Sequence, residues 1–209
     1  MQSLSYRILI CAVLIITAGC ATQAKLEKLY QDPDAPAAPY QQILVIGIAA
    51  EPDQRRWMEN LITAELADHD VSATPGYTRL GSSPVLRQDD VDLAAEATRS
   101  DAILIAHLVS VSEEVEIADD RTSIKSECRG GNPIDYFLYD HEEIREPGSV
   151  SIAREVTMVS NLYDVRSGAR VWTVQSTCFE KSAFEAILNK EARAVVQQLR
   201  RDRLIRPTR

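Results

Sequence analysis

Four cysteines and three histidines carry most of the chemistry this chain could perform: Cys11, Cys20, Cys128 and Cys178, and His69, His107 and His141. The histidines fall at an expected helix end, in an apolar strand and in a charged loop, so no zinc-ligand spacing arises. His107, inside the apolar strand, reads as a core histidine. His141, in Asp140-His141-Glu142-Glu143, reads as part of a solvated loop, with metal binding as the alternative. Asp119-Asp120 offers oxygen ligands but lacks the regular acidic spacing of a calcium loop, and reads as a charged turn. No CxxC, GxSxG, P-loop or dinucleotide glycine pattern is present. The expectation is no catalytic residue, no metal and no cofactor. Tyr136, Phe137 and Tyr139 are the contact candidates, because aromatic rings give large contact area at low entropy cost; the other reading is a satellite cluster folded over the sheet. Arg200, Arg201, Arg203, Arg206 and Arg209 could meet an anion, but their place at a helix carboxyl end accounts for them more simply.

The elements that would hold these residues follow from apolar periodicity. Ile43 to Ile48 is a continuous apolar run that suits a strand covered on both faces. After Pro52, Trp57, Met58, Leu61, Ile62 and Leu66 recur at helical spacing to about Asp68. Val71 to Tyr77 is a weaker strand broken by Pro75-Gly76. Asp89, Asp90 and Asp92 open a helix to about Thr98. Ala102 to Val109 repeats the buried-strand signature, and its alternation continues through Val111, Val115 and Ile117, so this strand leaves the core and becomes half exposed. The pattern fails over about 118–148, an insertion too long for an ordinary connection. Beyond it, Val150 to Leu162 and Val171 to Val174 form an antiparallel hairpin. Ser182 and Glu185 give a capping-box signature for a helix carrying Phe184, Leu188, Val195 and Leu199. The expected order is β-α-β-α-β-(insertion)-β-β-α, an α/β fold with a mixed sheet of about five strands and about three helices.

With 209 residues, one domain is expected, spanning 43–205. The 23 basic residues against 31 acidic ones leave a formal charge of −8, so no whole-molecule positive field exists to gather nucleic acid. Repeat and low-complexity architectures are excluded by the absence of any recurring stretch.

The amino terminus reads as an address. Arg7 precedes an apolar run from Ile8 to Ala18, which has the layout of a secretory signal and is too short to span a membrane, a task needing about 20 residues. Thr17-Ala18-Gly19-Cys20 resembles the lipobox of bacterial lipoproteins. The resemblance implies cleavage after residue 19, diacylglycerol on Cys20 with a further acyl chain such as palmitate, and stable anchoring, which a single chain would not give. Ala21, where an Asp would signal inner-membrane retention, implies the outer membrane, on its periplasmic face. Residues 20–42, rich in Ala-Pro pairs, read as a flexible tether of about 20 residues reaching at most roughly 65 Å, with a possible short helix over Lys25 to Tyr30. Cys11 leaves with the signal and Cys20 is consumed by lipid. In an oxidising envelope the remaining Cys128 and Cys178 suggest one disulfide, worth about 4 kcal/mol for a loop of about 50 residues; the alternative is two separate buried thiols.

The unit Ile43 to Leu66 and the hairpin Asn161-Leu162-Tyr163-Asp164-Val165-Arg166-Ser167-Gly168-Ala169-Arg170-Val171-Trp172 look like those of uncharacterised bacterial envelope lipoproteins. The layout is similar to the small α/β domains of the curli secretion lipoprotein, the lipoprotein activators of peptidoglycan synthases and the amino-terminal domain of the Tol translocation protein. This resemblance implies non-catalytic envelope work: a lipid-anchored body that binds or scaffolds an envelope protein partner through its insertion or an exposed strand edge. The alternatives are a subunit of a homo-oligomeric envelope assembly and a hydrolase of unrecognised type.

Overall fold

The most continuously apolar segments occupy the middle of the sheet. The computed structural model describes residues 24–33, 39–81, 86–118, 121–128, 139–146 and 149–206, with side chains from 116 to 150 outside the description. In it β2 (Gln42–Ile48) lies between β3 (Ser72–Pro75) and β4 (Ala102–Ala118), parallel to both. β7 (Ser149–Asp164) and β8 (Arg170–Glu180) follow antiparallel, and β1 (Lys25–Gln31) closes the far edge against β8. The order is β1-β8-β7-β4-β2-β3, while β5 (Arg121–Cys128) and β6 (Tyr139–Glu146) form a separate two-stranded ribbon. The helices are α1 (Pro52–Ala67), α2 (Tyr77–Leu80), α3 (Gln88–Ala97) and α4 (Phe184–Arg201). The fold is thus α/β with a mixed sheet, as expected from the pattern.

Side chains alternate across each strand, so β2 feeds two cores. Ile43 and Val45 join Ala102, Leu104, Met158, Leu162, Trp172 and Val174 under α1 and α4, which contribute Met58, Ile62, Leu66, Ala192, Val195, Val196 and Leu199. Leu44 and Ile46 face the other way, onto Ala94 and Ala95 of α3 with Ile103. A third cluster unites Val156, Cys178, Ile187 and Leu188, with Ala24 and Phe184 packed against it. Gly47 lets α1 come close: a Cβ there would lie 3.0 Å from Met58 Cε and 3.1 Å from the Arg55 carbonyl oxygen.

Four local readings differ from the pattern-based expectation. Lys25–Gln31 is an edge strand rather than a tether or short helix, because β8 supplies a backbone ladder from Lys25 opposite Thr177 to Gln31 opposite Trp172. The weak strand after Val71 ends at Pro75, and the chain turns into α2. α4 begins after Ala183, whose side chain forms no cap; the Ser182 hydroxyl bonds Glu180 at 3.1 Å instead of capping the helix. The insertion contains the β5–β6 ribbon.

Candidate functional site

The buried carboxylates among the described residues divide into those that hold backbone in place and one that does not. Glu59 of α1 is fully buried. Its Oε1 accepts from Gly47 N at 2.9 Å and Arg55 Nε at 2.8 Å, and its Oε2 accepts from Tyr77 N at 2.6 Å. One carboxylate therefore joins α1 to β2 and to the start of α2. Asp164 plays a similar part in the β7–β8 turn, where Oδ1 accepts from Ser167 N and Oγ at 2.7 and 2.8 Å and Oδ2 accepts from Tyr40 Oη at 3.3 Å. Burial works to raise the Asp164 carboxyl, but the bonds from Ser167 and Tyr40 outweigh it and hold the group below its ordinary value. Burial, with the Asp164 charge, pushes the Tyr40 phenol up. Gly168 takes the left-handed conformation this turn needs (φ +69°). Asp202, just past α4, accepts from Trp172 Nε1 at 2.7 Å and Lys28 Nζ at 3.1 Å, tying β8 and β1 to that helix.

Glu191 of α4 is the exception. It is fully buried, and neither carboxylate oxygen has a hydrogen-bond partner. The Ser176 hydroxyl, which turns to the Met158 carbonyl at 3.4 Å, is close enough to favour the charged form somewhat, but burial dominates and pushes Glu191 up to about 7. Cys178, beside it, is pushed up to about 11 by burial and by the charges of Glu191 and Glu180, against the opposing charge of Lys190. Such a thiol is the reverse of an activated nucleophile.

The structure separates most of the residues singled out from sequence. Cys178 is a free, buried thiol, so the expected Cys128–Cys178 disulfide is not formed. The physical reason is placement: Cys178 faces α4 in the third core cluster, whereas Cys128 sits in β5, whose ladder partner is β6. Tyr139 is the residue opposite Cys128, with its side chain outside the description. Cys20, Tyr136, Phe137, Asp119, Asp120 and Arg209 lie outside the described residues. His107 is exposed on β4, not a core histidine, because its neighbours Ala106 and Leu108 take the core-facing positions. His69 sits 3.7 Å from Glu65 on α1, and His141 lies in β6. Among the described residues no three His, Cys, Asp or Glu side chains are grouped to hold a metal. A cavity of about 370 Å³ borders Tyr40, Asp101 and Asp164. Its acids are committed to structure, since Asp101 also accepts from Gln41 N and Gln42 N at 2.8 and 3.0 Å.

Among the described residues two surfaces stand out for contact. The apolar packing of α3 reaches Leu44, Ile46, Ile103, Ile105 and Tyr163, so it covers only part of the second sheet face. On the rest, Thr157, Val159, Asn161, Gln175 and Thr177 are half-buried, with Phe179 exposed. The other surface is an arm: β4 and β7 pair well past the body, to Ala118 opposite Ser149, while β2 leaves β4 at His107 and β8 leaves β7 at Arg154. The period-two alternation after Val109 signalled the arm; nothing in the sequence marked Glu59 or Glu191 as different from surface acids on a helix.

No family model matches the sequence, and neither does any characterised protein. Solved structures do resemble it. The PelC dodecamer from Paraburkholderia phytofirmans is 13% identical, over 88% of this chain and 99% of that one, at a TM-score of 0.50. Lipoprotein GNA1162 from Neisseria meningitidis is 15% identical, over 76% and 97%, at 0.40. A minor lipoprotein from Acinetobacter baumannii is 9% identical, over 80% and 98%, at 0.37. With PelC, what is shared is the fold.

Proposed function

We propose that this chain is a lipid-anchored, non-catalytic scaffolding protein of the bacterial outer membrane, facing the periplasm and holding another envelope protein against its sheet. The observation that carries the reading is the open half of the second sheet face, where Thr157, Val159, Asn161, Gln175 and Thr177 form a mostly polar surface with no helix over it among the described residues. A mature antiparallel sheet tolerates water on one face, and half-buried faces of this kind suit protein contact. The lipobox-like Thr17-Ala18-Gly19-Cys20 supports the address. The buried acids Glu59 and Asp164 and the half-buried Asp101 support the non-catalytic part, since each is taken up by backbone donors.

A second reading is a homo-oligomeric assembly, favoured by the fold held in common with a protein crystallised as a dodecamer. Two measurements test these ideas. Cys20→Ala should move the chain from the membrane pellet to the soluble periplasmic fraction; retention in the pellet refutes the anchor. A photocrosslinking side chain at Phe179 in intact cells should give an adduct with a different protein. An adduct of this chain with itself, together with a multiple of the monomer mass by light scattering, selects the second reading.

A further inference from the structure

We propose that the β4–β7 arm lies along the lipid bilayer, its Val111, Val115 and Ile152 face against the headgroup region. The inference rests on lipidation of Cys20. The arm is two-faced by register. On one face Val111 stands opposite Val156, Glu113 opposite Arg154 and Val115 opposite Ile152; on the other, Ser110 opposite Thr157, Ser112 opposite Glu155 and Glu114 opposite Ala153. The valine face is exposed, at 41% for Val111, 57% for Val115 and 37% for Ile152. Its one acid, Glu113, is neutralised by Arg154 Nε at 2.7 Å. The acids Glu114 and Glu155 are on the opposite face, so an anionic membrane repels the valine face little.

The attachment point decides what this face meets. Val156 of that same face packs in the cluster that includes Ala24, so the chain leading to Cys20 leaves the body beside the apolar face. Four residue steps separate Cys20 from Ala24, a reach of at most about 14 Å. Lys25 pairs with Thr177, which is level with Thr157 and Ser110, so the eight further residues of β4 extend about 27 Å beyond the attachment level. An arm pointing straight at the membrane would pass through the headgroups into hydrocarbon. Its backbone edges, which no other described strand pairs, forbid that, because unpaired amides and carbonyls cannot enter the bilayer core. An arm pointing away would require the lead to pass the rest of the sheet, about 20 Å along β8 from Thr177 to Val171, which exceeds its reach. The body therefore lies on its side. The helix layer stands about 10 Å off the sheet, so a tilt of about 20° lowers the outer end of the arm by about 9 Å, to the membrane plane.

The test uses the mature lipidated chain, with Cys128→Ser, in vesicles of phosphatidylethanolamine and phosphatidylglycerol. An environment-sensitive fluorophore is placed through Val115→Cys, Glu114→Cys or Arg166→Cys, the last in the exposed turn at the far end of the sheet; Val111→Cys repeats the test two same-face pairs inward, at the base of the arm. The expected result is a blue shift at 115 and loss of most of its emission to a headgroup-borne quencher, with a smaller change at 111 and with 114 and 166 unaffected. If the vesicles carry the protein but 115 is quenched no more than 166, the arm stands off the membrane and the inference falls while the anchor survives. Equal quenching at 114 and 115 overturns the face assignment. A chain that does not float with vesicles fails at the anchor. A blue shift at 115 that grows with concentration in the Cys20→Ala chain, without vesicles, assigns the face to a second copy and overturns the inference.

Discussion

Glu59 and Glu191 are the same residue type, each fully buried on one of the two helices that pack the same side of the sheet. Glu59 receives three donors from three different elements, two of them backbone amides. Glu191 receives none. A buried charge is tolerated when its lone pairs are satisfied and gives up its proton reluctantly when they are not. The first carboxylate is therefore a fastener, and the second is a proton-holding acid that limits stability.

The largest effect should come from removing the fastener. Glu59→Ala strands the amides of Gly47 and Tyr77 and leaves the Arg55 guanidinium buried without this carboxylate, for a loss of about 3–5 kcal/mol in denaturant unfolding. A loss below about 1 kcal/mol would mean that water or another group replaces it.

Glu191 should show itself through pH. Its folded value is raised to about 7 from an ordinary 4.5. Below 4.5 both folded and unfolded states are protonated and the charge penalty is absent. Between about 4.5 and 7 the unfolded chain releases its proton first, so stability falls as pH rises, and above 7 the penalty is constant at about 3 kcal/mol. Glu191→Gln should abolish that fall when unfolding free energies are compared from pH 4 to 8; parallel curves for the two proteins would contradict it.

Gly47→Ala probes how tightly Glu59 draws α1 onto β2. The new methyl meets Met58 Cε and the Arg55 carbonyl at 3.0–3.1 Å, and the expected cost is about 1–3 kcal/mol. A neutral or stabilising result would show that the helix can retreat. The smallest effect concerns the thiol beside Glu191. With Cys178 free and held protonated, reductant should leave the melting temperature unchanged, and alkylation of Cys178 should require unfolding. A lowered melting point under reductant would restore the Cys128–Cys178 bridge.

How much of this was legible depended on where each segment finds its partners. β2 and β4 announced themselves because strands covered on both faces must be apolar at every position, and α1 and α4 because one stripe must meet the sheet. The half-exposed continuation of β4 was readable for the same reason, from Val111, Val115 and Ile117 set between serines and glutamates. β1 was not, since Lys25-Leu26-Glu27-Lys28-Leu29-Tyr30-Gln31 is polar at most positions and becomes a strand only when β8 offers its open edge. The capping box failed because Glu180 takes the Ser182 hydroxyl while forming an ion pair with Lys190.

The amino-acid sequence by itself settled the mixed α/β sheet, its apolar strands and the two long amphipathic helices, because burial imposes a period that can be counted along a chain. Which acid is satisfied, that Cys178 is unbridged, and that the chain before β2 joins the sheet were decided only in three dimensions. Each depends on a partner far away in sequence, and no local pattern records a hydrogen bond that tertiary packing has yet to bring within reach.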